Sequence, residues 1–169
     1  TARRDHGYLV FFYDLGHHEK LQSMCADAGF AVQRWPITWH KVGFGSNANP
    51  NKNTTKDVEW AMVASKPKAQ LAKAGSNSVI SLPLAGANAR LGHPFAKPAD
   101  LWRALFQRFV RPGYVVFDAF MGSGSMPLAA LGLDCTVHGM ELNPDHYNRC
   151  LLNLKDWATT NLGPDVEFI

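Results

Sequence analysis

The run Val115-Val116-Phe117-Asp118-Ala119-Phe120-Met121-Gly122-Ser123-Gly124-Ser125 constrains the fold more than any other part of the chain. A short β-branched and aromatic stretch ends in an acid, turns through two glycines and passes into SMPLAALGL, which reads as a helix closed by Gly132. A strand followed by a glycine turn and a helix is the unit from which open α/β sheets are built. In such sheets ligands lie beyond the carboxyl ends of the strands, where glycine lets backbone approach them closely.

The rest of the chain repeats this alternation. GYLVFFY (7–13) reads as a buried strand and HHEKLQSMCADAG (17–29) as a helix with a glycine stop. FAVQRWPITWHK (30–41) reads as one strand with Pro36 at an edge or bulge, and VEWAMVAS (58–65) as another. The intervening GFGSNANPNKNTTKD is too long and polar for a simple turn. SVISLPL follows, and then ADLWRALFQRFV (99–110), a helix whose apolar face holds Leu101, Trp102, Leu105, Phe106 and Phe109. CTVHGMEL (135–142) is the strand after the glycine turn. Asn143 and Pro144 open a helix through Tyr147, Cys150, Leu151 and Leu154, and DVEFI begins a last strand. The expected class is α/β, with a mostly parallel sheet, helices on both faces and an antiparallel edge hairpin. One domain is expected over 1–169, with a target-side half at 1–66, a connector at 67–92 and a cofactor half at 93–169.

Composition narrows the function classes. No apolar run approaches a membrane span, and TARRDHGYLVFF has no signal-peptide pattern. Cys25, Cys135 and Cys150 are widely spaced and form no CxxC pair, which disfavours a disulfide framework or a zinc site and fits a reducing cytoplasm. A formal charge of +3 permits an anionic partner without requiring one. Glu141 ends the strand after the glycine turn, where an acid accepts hydrogen bonds from ribose hydroxyls, so an adenosine-type cofactor is expected. Pro127 stands where a dinucleotide fingerprint wants a small residue, which disfavours NAD.

DAFMGSGS with GMELNPDHY resembles the D-P-F-x-G-S-G-T and G-x-E-x-N-P-x-Y pair of β-class DNA amino-methyltransferases, with Ala119 in place of proline and Ser125 in place of threonine. HPFAKP (93–98) is similar to the segment preceding the glycine loop in these enzymes. WHK (39–41), the polar loop and Glu59 to Lys66 are similar to the W-x-K, loop and E-x-(strand)-K succession upstream. The resemblance covers roughly residues 7 to 155. It implies a Rossmann-like class I methyltransferase fold and S-adenosylmethionine as cofactor. Asp118, Phe120, Gly122, Ser123, Gly124 and Ser125 would then line the methionine and adenosine side, and Glu141 would hold the ribose. His93, Phe95 and Lys97 would border the methionine end. Four readings stay open: Lys97 on the carboxylate or solvated before a helix, His93 in the site or anchoring a turn, Phe120 in the site or in the core, Asn143 on the cofactor or capping its helix.

The same resemblance implies double-stranded DNA as partner, no metal, and a bacterial or phage-encoded cytoplasmic enzyme that methylates the exocyclic amino group of a flipped base. Adenine N6 is favoured over cytosine N4. The family's [D/N/S]-P-P-[Y/F/W] tetrapeptide is not found, so the catalytic residues are unassigned. The sheet is expected to be incomplete, its missing strand supplied by an upstream segment, a second chain or an unexpected strand from within the chain such as SVISLPL. A catalytically inactive S-adenosylmethionine-fold scaffold and an NAD(P)-dependent oxidoreductase are the alternatives. Lysines 66, 68 and 73 and the loop 43–55 are candidate phosphate contacts.

Overall fold

A computed structural model describes residues 5–43, 45–47, 49–83, 92 and 96–163. His93, Phe95 and the DVEFI segment expected as a strand lie outside the described residues. The chain divides into two compact units, Thr1–Pro83 and Leu84–Ile169, and the division falls inside the connector expected over 67–92.

In the first unit β1 (Tyr8–Tyr13) leads through a short 3-10 turn (Leu15–His17) into α1 (His18–Asp27). Asp14 starts that turn by accepting from Gly16 N at 2.8 Å. The segment 30–41 is two strands, not the single one expected: β2 (Ala31–Val32) and β3 (Ile37–Lys41). Pro36 has no N–H for a ladder, and the chain bends at Arg34 and Trp35 before it. Both pieces still lie antiparallel on β4 (Val58–Ser65), β2 opposite Ser65 and Ala64, β3 opposite Ala61 to Val58. β1 runs antiparallel along the other edge of β4, from Tyr8 opposite Ser65 to Tyr13 opposite Trp60. β5 (Val79–Leu82) joins β3 in parallel. The antiparallel part is therefore larger than an edge hairpin, because β4 carries three partners.

That position explains the β4 sequence. Ala61, Met62, Val63 and Ala64 are all buried, so the strand is apolar on both faces without alternation. One face packs on α1, where Cys25, Met62 and Ala64 form a cluster with Phe11, Tyr13, Leu21, Phe30 and Val32. Trp39 is fully buried and donates Nε1–H to Leu82 O at 3.0 Å.

In the second unit α2 (Ala99–Phe109) precedes β6 (Tyr114–Asp118), α3 (Ser125–Ala130), β7 (Cys135–Gly139) and α4 (Pro144–Leu162). β6 and β7 pair in parallel, Asp118 opposite Gly139. α2 buries Leu101, Leu105, Phe106 and Phe109, as its spacing predicts. Phe106 joins Met126, Ala129 and Ala130 of α3 in a core that also takes Trp102, Val116 and Val137. Among the described residues β6 has no ladder partner besides β7, and β1 has none besides β4. Val115 and Phe117 of β6 are 65% and 60% exposed.

Candidate functional site

The glycine turn of the second unit is held from several sides. Met121 N donates to Met140 O at 3.0 Å, and Gly124 N closes the turn on Met121 O at 2.9 Å. Gly122 and Gly124 have φ of 54° and 90°, a region closed to most side chains. Gly124 is also required for space: a Cβ there would meet Cys150 Sγ of α4 at 2.6 Å.

Glu141 is the organiser of the turn. Its Oε2 accepts from Gly122 N and its Oε1 from Asn143 N, both at 2.9 Å, so one carboxylate ties the glycine turn to the start of α4. The bond from Asn143, aided by that from Gly122, holds its carboxyl below the usual range. Each oxygen keeps a second lone pair for an incoming hydroxyl. Asp118 sits at the end of the neighbouring strand and accepts from Phe120 N at 2.9 Å. Burial pushes its carboxyl above the usual range, and the negative Glu141 adds to the rise. Two acids with opposite shifts thus stand side by side, Asp118 at the end of β6 and Glu141 two residues beyond β7, a pattern that marks a candidate ligand site.

The remaining expected residues divide by location. Phe120 is 89% exposed and so does not belong to the core. Asn143 caps α4, accepting from Asp145 N at 2.9 Å and His146 N at 3.4 Å. Ser125 is buried and its Oγ accepts from Trp102 Nε1 at 3.0 Å, while Ser123 is buried with its carbonyl on Asn153 Nδ2 at 2.8 Å. Those two serines hold the turn together by side chain or backbone and do not present hydroxyls outward. Lys97 is half-buried just before α2. Leu142, which the sequence did not single out, is 97% exposed beside Glu141.

The first unit has a site of its own kind, a cavity of about 510 Å³ lined by Phe12, Tyr13, Asp14, Leu15, Lys41, Ser46, Lys56, Val58, Glu59 and Trp60. Lys41 of the WHK segment is buried there, paired with Glu59 Oε1 at 2.7 Å and 5.5 Å from the Trp39 ring. Tyr13 OH is 2.8 Å from His18 Nδ1. Two lysines expected at phosphates are engaged within the chain: Lys66 Nζ donates to Ala28 O and Gly29 O at the end of α1, 3.9 Å from the Phe30 ring centre, and Lys68 pairs with Asp5 at 3.1 Å. The polar loop bonds to itself, with a bridge between Ser46 and Lys56 and with Asn47 Nδ2 donating to Asn53 O. Among the described residues no cluster of His, Cys, Asp and Glu could hold a metal ion, and no helix is long and apolar enough to cross a membrane.

The fold has solved counterparts. The M1.HpyAVI–SAM complex superposes with a TM-score of 0.77 at 24% identity, over 89% of this chain and 76% of that one. The PvuII DNA methyltransferase, cytosine-N4-specific, gives 0.68 at 17% identity, over 85% and 61%. TTHA0409 of Thermus thermophilus, complexed with S-adenosyl-L-methionine, gives 0.57 at 21% identity, over 95% and 71%. At these identities the likeness shows a shared fold, the class I methyltransferase architecture. No curated protein matches the chain. The sequence itself matches the family described as DNA methylase, the N6 and N4 methyltransferases, over residues 2–151, and the chain belongs to that family.

Proposed function

We propose that this chain is the cofactor-binding part of a DNA methyltransferase that moves a methyl group from S-adenosylmethionine, the methyl donor of its family, to the exocyclic amino group of an extruded base in double-stranded DNA, adenine N6 in preference to cytosine N4. The observation that carries the reading is the pair of acids over the glycine turn. Glu141, fixed by two backbone donors, would accept the ribose hydroxyls, and Asp118 would meet the methionine ammonium directly or through water. In this reading Gly122, Ser123 and Gly124 supply backbone to the pocket, Lys97 is assigned to the methionine carboxylate, and the exposed Phe120 and Leu142 supply the apolar cover an adenine ring requires. His93 and Phe95 complete the methionine end in this reading.

The cofactor brings an electrophilic methyl group on a sulfonium, and the protein's work is to hold both partners in line and exclude water. In this reading the first unit serves the target side, and its cavity offers the aromatic side chains of Phe12, Tyr13 and Trp60 and the cation of Lys56. The tetrapeptide that would hold the amino nitrogen is supplied by an upstream segment or a second chain. β1 and β6, the strands that flank it in the family's sheet, both have an edge with no ladder partner among the described residues, which supports this arrangement. Family membership leaves the oxidoreductase alternative without support, and the inactive scaffold remains as the rival.

The test is methyl transfer from labelled S-adenosylmethionine to DNA by the full-length gene product, with the nucleosides separated by mass spectrometry. N6-methyladenine is expected. N4-methylcytosine would correct the target, and cofactor binding without transfer would favour the scaffold.

A further inference from the structure

Glu141 and Met140 secure the glycine turn from the β7 side, but the turn also rests on α4. Asn153 Nδ2 donates to Ser123 O at 2.8 Å, and Cys150 Sγ fills the space under Gly124. Cys150 is fully buried and its sulfur lies 3.9 Å from Met121 Sδ, so two residues one helical turn apart on the same face of α4 meet the turn from below. The Ser123–Gly124 peptide is pinned at both ends by this arrangement. Its carbonyl is taken by Asn153 and its N–H by Met121 O. A peptide fixed in this way cannot flip, and its orientation decides where the neighbouring N–H groups of Ser123 and Ser125 point.

We propose that Asn153 is a positioning residue for the cofactor: it makes no contact with the ligand and sets the orientation of the Ser123–Gly124 peptide, and with it the shape of the pocket floor. Cys150 acts with it as a packing stop. The inference rests on the reading of this turn as the S-adenosylmethionine site.

The experiment measures S-adenosylmethionine affinity by calorimetry, together with the thermal midpoint without cofactor, for the wild type, Asn153→Ala, Asn153→Asp and the exposed-face control Asp156→Ala. A net hydrogen bond of ordinary strength predicts about fivefold weaker binding in Asn153→Ala. Asn153→Asp, which turns an acceptor toward the Ser123 carbonyl, should bind more weakly still, and Asp156→Ala should match the wild type. A residue with only a structural role would lower the midpoint and leave the affinity of the folded protein unchanged, and that result would overturn the proposal. Should both Asn153 variants fail to fold, hydrogen exchange of the Gly124 amide in the wild type decides. Protection equal to that of β6 supports a pinned peptide, and free exchange overturns it. A wild type that binds no S-adenosylmethionine would overturn the cofactor reading and this inference with it, whereas normal binding by wild type and variants alike overturns this inference alone.

Discussion

The two acids over the glycine turn differ in what their protons do. Asp118 has its carboxyl raised by burial, so in the free protein it takes up a proton at higher pH than it would unfolded. The stability linked to that proton is present at low pH and lost as pH rises through the raised value. Glu141 is the reverse: the stability from its two backbone bonds is present above its unfolded pKa and lost as pH falls through the depressed folded value. Acidification should therefore act in two stages. Cofactor affinity falls first, as Asp118 loses the charge that attracts an ammonium group, and the turn itself weakens only at lower pH. Calorimetric titrations across mildly acidic pH should show the first stage in the wild type and lose it in Asp118→Asn. Glu141→Ala, which strands the N–H groups of Gly122 and Asn143, should weaken cofactor binding about tenfold, since a charge-assisted hydrogen bond contributes roughly 1.5–3 kcal/mol and this one is partly solvated. Both acids were legible in the sequence because each closes an apolar run, although β7 itself stops at Gly139, two residues before Glu141. Asn153 was not, because nothing in NRCLLNLKDW marks an amide that reaches a turn thirty positions earlier. Cys150 is a third case: its thiol is pushed up to about 11 by burial and then by the charges of Asp118 and Glu141. It should stay unlabelled by alkylating reagents at neutral pH until the unit unfolds.

At the level of elements, the turn and the start of α4 behave as one part. Gly124→Ala places a methyl group against Cys150 Sγ and forces an L-residue to φ near 90°, so a loss of about 2 kcal/mol or more is expected. Adding Cys150→Ala should recover the steric share and leave the backbone share, a coupling that a double-mutant cycle in urea would measure. In the first unit, Trp39→Ala should cost about 3–5 kcal/mol, because the indole is fully buried and its N–H holds the last residue of β5. The strands and helices were readable because apolar runs end at Gly, Asp or Pro and because the face of α2 keeps helical spacing. What was not readable is pairing. Nothing local distinguishes β4 as the strand with three partners, and the split of 30–41 into β2 and β3 depends on both pieces finding β4 on either side of the bend at Arg34 and Trp35. Lys66 shows the same limit: its composition suggests a phosphate contact, and its position over Phe30 makes it a cap on α1.

For the whole molecule, the two compact units have ladders of different reach. In the second, β6 and β7 are joined by a single turn-and-helix connection, so their pairing closes over a short stretch of chain. In the first, β3 and β4 pair over a comparably short stretch, but Tyr8 must find Ser65 and Thr38 must find Val79 before the sheet is complete. Closing longer loops costs more entropy before contacts form, and non-local pairing slows folding by orders of magnitude. Refolding from urea should accordingly be biphasic. The cofactor half should regain S-adenosylmethionine binding in the fast phase, while burial of Trp39, followed by fluorescence, should return in the slow one. Single-phase recovery of both signals would show that the units fold as one. With two phases, the pocket around the glycine turn would be assembled early, while the strands of the first unit are still searching for their partners.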